Sequence, residues 1–266
     1  MRHGGDYGHD PGRINASSGD DYLFWSNAVP RIARLVAIVS LGVGAAPASA
    51  EWFADIFAGL SFTRDHDVKL NDVGIGPGTY QDVEFDRSLS WGGRVGHYFD
   101  ALPFLGLAAD FFRYYPDIGG QSVQLRGCFF PGGCGTGRGG VGRFEIQTTA
   151  ISVDLMLRLP LLKSADAPWG RLQPYLAVGP PLFITTVTPR NTRNFRNHDD
   201  DTDLSIGYKL AGGVAFQIYK NLALFGEYRF THVSPEVELR DANVGRTTWR
   251  TDLDTHSALI GLSARW

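Results

Sequence analysis

The sequence predicts an all-β fold: an eight-stranded antiparallel transmembrane β-barrel with long outer loops, preceded by a signal peptide. Three observations carry this. An export signal ends near residue 50, eight later segments alternate apolar and polar residues, and their polar faces hold full charges near mid-segment.

The export signal comes first. The longest apolar run, residues 35–46, is too short for a membrane-spanning helix, which needs about 20 residues. Arg31 and Arg34 precede it and Ala48-Ser49-Ala50 follows it. A basic flank, a short apolar centre and small residues at a cleavage site describe a secretory signal peptide over 29–50, cut after Ala50. Residues 1–28 are polar, rich in Gly and Asp and aperiodic, so they read as disordered or as an extension outside the signal, with translation starting at Val29. Residues 51–266 are then the mature domain.

Beyond Ala50 the period is two, the mark of strands with two unlike faces. In 52–62, Ala54, Ile56, Ala58, Leu60 and Phe62 oppose Phe53, Asp55, Phe57 and Ser61. In 89–99, Leu89, Trp91 and Val95 oppose Ser90, Gly92, Arg94 and Gly96. Segment 104–115 sets Leu105, Leu107, Ala109 and Phe111 against Gly106, Ala108 and Asp110. Segment 145–159 is the clearest, with Ile151, Val153, Leu155 and Leu157 against Ser152, Asp154 and Arg158. Segment 171–184 sets Leu172, Leu176, Val178 and Leu182 against Gln173, Tyr175, Ala177 and Gly179. Pro174, Pro180 and Pro181 remove ladder donors here, which predicts a bulge or strand end near Gly179. In 204–218, Ile206, Tyr208, Leu210, Val214 and Phe216 oppose Ser205, Lys209 and Gln217. In 222–230, Leu222, Leu224, Tyr228 and Phe230 oppose Glu227 and Arg229. The last segment, 255–266, sets Ala258, Ile260, Leu262 and Ala264 against Ser257, Gly261, Ser263 and Arg265.

A soluble barrel with these faces would have to bury Arg94, Asp110, Asp154, Lys209 and Glu227 while exposing Leu and Phe, which is costly for unpaired charges. An inside-out barrel removes the conflict: lipid outside, a polar lumen inside. Most segments reach the roughly 9–11 residues that a tilted strand needs to cross a bilayer. Short connections (100–103, 219–221) alternate with long polar ones (63–88, 116–144, 185–203, 231–254), as periplasmic turns alternate with outer loops. Closure is how a sheet sits in lipid without an unpaired edge. Both termini then face the periplasm. Trp52, Trp91, Tyr98, Tyr175, Tyr228 and Trp266 are candidates for the interfacial aromatic girdles.

Four stretches, Trp52-Phe53-Ala54-Asp55-Ile56-Phe57-Ala58-Gly59, residues 173–179, residues 220–231 and the C-terminal strand ending in Trp266, resemble the small OmpA-like outer-membrane β-barrel family. The resemblance implies integral location in the Gram-negative outer membrane, and roles in envelope integrity, adhesion or surface contact without selecting one. It also implies that Ile260, Leu262 and Trp266 form the C-terminal signal read by the barrel-assembly machinery, after escort by periplasmic chaperones.

The candidate site residues follow from the same pattern. Asp55, Arg94, Asp110, Asp154, Arg158, Lys209, Glu227, Arg229 and Arg265 are expected to point inward and pair, because an eight-stranded barrel is just wide enough for side chains to fill; the alternative is a narrow passive pore. Cys128 and Cys134 are two cysteines in an exported chain, which reads as a disulfide. His232 and Ser234, two apart near Glu236, resemble the His-x-Ser pair of outer-membrane lipid A deacylases, although Pro235 departs from that pattern; this is the enzymatic alternative to a non-catalytic reading. Asp199, Asp200, Asp201 and Asp203 are an acidic run that reads as a solvated loop, the alternative being a site for a hard cation. The Gly-rich stretch 132–140 reads as a flexible surface loop, with Arg126, Arg138 and Arg143 able to meet lipopolysaccharide phosphates. The net charge of −3 and pI near 6.1 exclude a nucleic-acid binder. No cofactor is implied. The expected protein is a monomer whose partners are outer-membrane lipid and lipopolysaccharide.

Overall fold

A computed structural model describes residues 51–72, 76–129, 133–164, 167, 169–190, 201–241 and 245–266. The proposed signal peptide and N-terminal extension lie outside these residues, as do Asp199 and Asp200. Among the described residues every regular element is a strand.

The eight predicted segments form the closed wall. In chain order the long strands are β1 (Glu51–Thr63), β4 (Ser88–Tyr98), β5 (Leu105–Tyr114), β8 (Arg143–Arg158), β9 (Leu172–Gly179) with β10 (Pro181–Arg190), β11 (Asp201–Ile206) with β12 (Tyr208–Tyr219), β13 (Leu222–Val233) and β16 (Leu253–Arg265). Two wall strands are each split by one residue. Pro180 lacks an N–H, so the ladder lapses between β9 and β10. Both halves still pair with β8, with Leu155↔Val178 below the break and Ile151↔Leu182 above it. The prolines thus interrupt hydrogen bonding without slipping the register, and Leu176, Val178 and Leu182 all stay on the outside.

Every neighbour pair is antiparallel, and β8 pairing with β9 closes the ring. The first and last strands join from Phe53↔Arg265 to Thr63↔Thr255. Below that ladder, Trp52 and Trp266 exchange backbone hydrogen bonds at 3.0 Å each way. The C-terminal residue therefore completes the seam.

Alternation puts the apolar set on the outside. Ile56 is 66% exposed and Val153 63%, whereas Arg94 and Asp110 are 2% exposed. This inversion of a soluble core is what the sequence predicts. Two of the girdle candidates do not hold. Tyr98 and Tyr175 are buried in the lumen, because they share parity with Arg94 and with Gln173, and alternation rather than aromatic character sets where they point. Trp52, Trp91 and Tyr228 are on the outside.

The outer connections differ from expectation. Three of the four carry hairpins: β2 (His66–Asp72) with β3 (Gly76–Val83), β6 (Gln121–Phe129) with β7 (Gly133–Val141), and β14 (Glu236–Asp241) with β15 (Gly245–Arg250). They join into one six-stranded sheet in the order β14-β15-β2-β3-β6-β7. The Gly-rich stretch is thus a strand, paired from Gln121↔Val141 to Phe129↔Gly133, rather than a flexible loop. Its glycines hide the alternation that would have revealed it, since they present no side chain to either face.

Candidate functional site

The lumen is filled in three tiers, and each tier is read from residues two apart on one strand face. On β8, Ile146, Thr148, Ser152 and Asp154 run from the outer mouth inward. On β13, Val233, Thr231, Arg229 and Glu227 do the same, and on β16, Leu253, Thr255 and Ser257. Apolar residues form the top tier, hydroxyls the second and charges the third.

The charged tier is one connected network. Glu227 accepts from Arg94, from Arg229 at 2.7 Å and from the Tyr175 hydroxyl at 2.8 Å. Asp110 accepts from Lys209 at 2.8 Å and from Arg229 at 2.9 Å, with Arg94 3.7 Å away. Lys209 also lies 2.5 Å from Asp154 and donates to Ser152 at 2.8 Å, while Asp55 faces Arg94 at 3.6 Å. Nearer the inner end Glu51 pairs with Arg158 and lies 3.6 Å from Arg265, whose guanidinium donates to Gln173 at 2.5 Å. Five cationic side chains thus meet five carboxylates, so the lumen carries no net charge.

Aromatic rings pack around these ions. The Arg229 guanidinium sits 4.7 Å from the Phe57 ring centre and 4.6 Å from that of Phe112, and Arg158 stacks 3.6 Å over Tyr98. Several rings lie on cross-strand glycines: Phe57 against Gly92, Phe53 against Gly96, Phe225 against Gly261 and Tyr175 against Gly213. A Cβ at any of these glycines would enter the ring, so here glycine is needed for close approach rather than for backbone freedom.

All nine charges assigned to the lumen from the sequence are therefore brought together. Sequence reasoning missed Glu51, which sits beside the proposed cleavage site and outside the first segment as drawn. It also missed the Tyr175 hydroxyl, although parity with Gln173 pointed inward.

The other candidates separate. Ser234 Oγ donates to Asp252 at 2.6 Å, while His232 Nδ1 meets Asp254 at 2.6 Å and stacks on Tyr208. Asp254 also lies 3.2 Å from His66. Glu236 pairs with Arg250 instead of approaching His232. Extended spacing does put His232 and Ser234 on one strand face, but each side chain has its own carboxylate. Asp201 accepts from the Glu238 amide at 2.6 Å and Asp203 from the Ser205 hydroxyl. No cluster of three or more His, Cys, Asp or Glu among the described residues is arranged to hold a metal. Cys128 and Cys134 form the disulfide, opposite one another in the β6–β7 hairpin with Cα atoms 3.9 Å apart. Arg126, Arg138 and Arg143 are exposed on or beside that hairpin. Ile260 and Leu262 point outward from the closing strand.

Comparison with known proteins agrees with this architecture. Among curated proteins none matches the sequence. Among solved structures, OprG from Pseudomonas aeruginosa superposes with a TM-score of 0.53 at 12% identity, covering 82% of this chain and 96% of that one. Neisserial surface protein A superposes with a TM-score of 0.41 at 15% identity, covering 82% and 97%. The outer membrane protein beta-barrel domain family matches over residues 35–265. With the closed wall, its apolar exterior and this match, the chain belongs to the outer membrane protein beta-barrel domain family and is integral to the outer membrane.

Proposed function

We propose that the protein is a non-catalytic surface protein: a sealed barrel that holds a rigid sheet of outer hairpins where it meets molecules outside the cell. The observation that carries this reading is the six-stranded sheet. Three connections that could have been independent loops pair edge to edge, and the β6–β7 hairpin is further tied by its disulfide. A preordered surface loses less conformational entropy on contact with a partner than a mobile one does.

The sealed lumen supports the same reading over a passive pore. Each charge has a counter-charge within the barrel, and an ion entering would have to displace pairs whose separation leaves a buried charge uncompensated. The separate partners of His232 and Ser234 support a non-catalytic role. As partners, the reading names outer-membrane lipid and lipopolysaccharide around the wall, the assembly machinery at Ile260, Leu262 and Trp266 during insertion, and a monomer as the working state.

The test is adhesion of a heterologous Gram-negative host that displays the whole chain or a variant with residues 121–141 replaced by a short Gly-Ser turn. The surfaces are immobilised matrix proteins and abiotic supports. Hairpin-dependent adhesion is the expected result. Equal adhesion by both cells, with conductance steps from the refolded protein in planar bilayers, would overturn the reading in favour of a pore.

A further inference from the structure

The outer sheet has two edges, and they are finished differently. At one edge β14 carries the exposed carboxylates of Glu236 and Glu238, and the Glu238 amide is capped by the Asp201 carboxylate at 2.6 Å. At the other edge stands β7, exposed from Gly133 to Arg138 and paired on one side only. Sheet edges are ordinarily guarded by proline, a bulge, an inward charge or a covering loop, because a row of free N–H and C=O groups recruits another strand. β7 has no proline, and its ladder with β6 runs from Gln121↔Val141 to Phe129↔Gly133 without a bulge. Its one charge, Arg138, is exposed on the outer face.

The backbone of this edge has a definite parity. The Cα atoms of Cys128 and Cys134 are 3.9 Å apart. That marks the close type of cross-strand pair, about 4.5 Å against about 5.5 Å, which exchanges no backbone hydrogen bonds. Counting on by two, Thr136, Arg138 and Gly140 also turn N–H and C=O away from β6, toward the open side. The two faces differ as well. On the outer face the cross-strand neighbours of Arg138 and Arg126 are Gln124, Thr79 and Thr136, with no carboxylate among them. On the inner face a Cβ at Gly139 would meet Tyr80 at 2.6 Å, but one at Gly135 or Gly137 would meet nothing within 4 Å. Leu125, half-buried and directly opposite Gly137, is therefore bare on that flank. Glycine weakens a strand, and it marks places where another backbone comes close.

We infer that β7 is a docking edge for an extended peptide segment of a partner protein, added as a further antiparallel strand. Its acidic side chains lie on the outer face against Arg138 and Arg126, and its apolar side chains lie on the inner face over Gly137 and against Leu125. Free backbone groups at strand spacing are met by another extended backbone, which gives affinity, while alternate side chains give specificity. Antiparallel is the direction of every pairing in this sheet. The acidic–apolar alternation follows from the two faces, because successive residues of a strand point to opposite sides. Residues directly opposite in an antiparallel pair share a face, and those opposite Thr136 and Arg138 exchange both backbone bonds with them. The acidic residues of the partner are thus also the ones that bond to β7. This inference rests on the proposed surface role and names the kind of partner that the sheet meets.

The test uses the full mature chain in nanodiscs and short fluorescent peptides with capped ends, read by anisotropy and by the amide NMR shifts of residues 121–141. The first peptide alternates glutamate and valine. The others replace glutamate by lysine, methylate the glutamate backbone nitrogens, or methylate the valine backbone nitrogens. The expected result is saturable binding of the first peptide, with shifts concentrated at Thr136 and Arg138. The lysine peptide and the glutamate-methylated peptide should each bind at least about fivefold more weakly, the value of one net hydrogen bond or one matched charge. The valine-methylated peptide should bind like the first. Thr136→Pro removes an outward N–H without touching the β6 ladder, and should weaken binding at least about fivefold. Arg138→Glu should reverse the preference between the glutamate and lysine peptides. Both variants should keep the disulfide and the wild-type difference between boiled and unboiled gel mobility. No saturable binding, equal binding of the glutamate and lysine peptides, or indifference to methylation of the glutamates would each overturn the inference. Dimers of the native chain that Thr136→Pro abolishes, in place of peptide binding, would overturn it in favour of a second copy at this edge. Absent peptide binding with hairpin-dependent adhesion intact would overturn this inference alone, whereas adhesion that ignores the hairpin would remove the surface role beneath it.

Discussion

Glu227 shows what a single residue does here. It lies near the middle of β13 and holds Arg94, Arg229 and Tyr175 at once. Desolvating three charges is expensive, and the return comes only while all partners are present. Replacing Glu227 by Ala leaves Arg94 and Arg229 with only Asp110 and Asp55 as counter-charges and the buried network one negative charge short, and should cost about 3–5 kcal/mol. The urea midpoint of refolding into lipid vesicles measures it. Exchanging a residue in the outer rim is a different matter. Ser234 is exposed and bonded to Asp252, so Ser234→Ala should shift stability by less than about 0.5 kcal/mol. Mass spectra of lipid A from cells carrying Ser234→Ala should match those from cells with the native chain, and a lost deacylated species would restore the enzymatic alternative.

The strands show the same logic one level up. A wall strand is specified by parity, and parity is what a lumen side chain inherits. The aromatic–glycine pairs then lock one strand to the next. Phe57 lies against Gly92 and Phe225 against Gly261, so a valine at Gly92 or Gly261 must push a buried ring off its neighbour. Each substitution should lower the yield of the fast-migrating unboiled form by more than half, and the gel reads this directly. The outer hairpins are governed by pairing between loops rather than by a bilayer. Their disulfide spans a sequence separation of 6, so in the chain-entropy picture it contributes only about 2 kcal/mol, less than a longer loop would. Cys128→Ser/Cys134→Ser should therefore leave the barrel's gel mobility unchanged. It should speed tryptic cleavage at Arg126 and Arg138 in the hairpin.

At the scale of the whole molecule, closure is the governing fact. The ladder from β1 to β16 and the β8–β9 pairing close the ring, so unfolding must break a seam against lipid, where an unpaired N–H or C=O has no water to turn to. The mature chain in the outer-membrane fraction should run faster unboiled than boiled in mild detergent. A soluble periplasmic band without a shift would contradict the membrane assignment. The five-to-five charge balance of the lumen predicts the absence of conductance steps in planar bilayers. Arg94→Leu leaves Glu227, Asp55 and Asp110 short of a cation, and is the variant most expected to leak, with a preference for cations.

The sequence by itself determined the number of wall strands, which residues face lipid and which face the lumen, because both depend on parity and parity is local. Asp55, Arg94, Asp110, Asp154, Lys209, Glu227, Arg229 and Arg265 could be named as inward residues from alternation alone. It could not determine who pairs with whom: Lys209 meets Asp110 across 99 positions and Arg229 meets Asp110 across 119, and only register and closure bring them together. The outer sheet was likewise decided by tertiary structure. Apart from Val141 and Trp249, strands β7 and β15 carry mainly Gly and polar residues without the apolar alternation that announces a wall strand, and they pair with β6 and with β2 and β14.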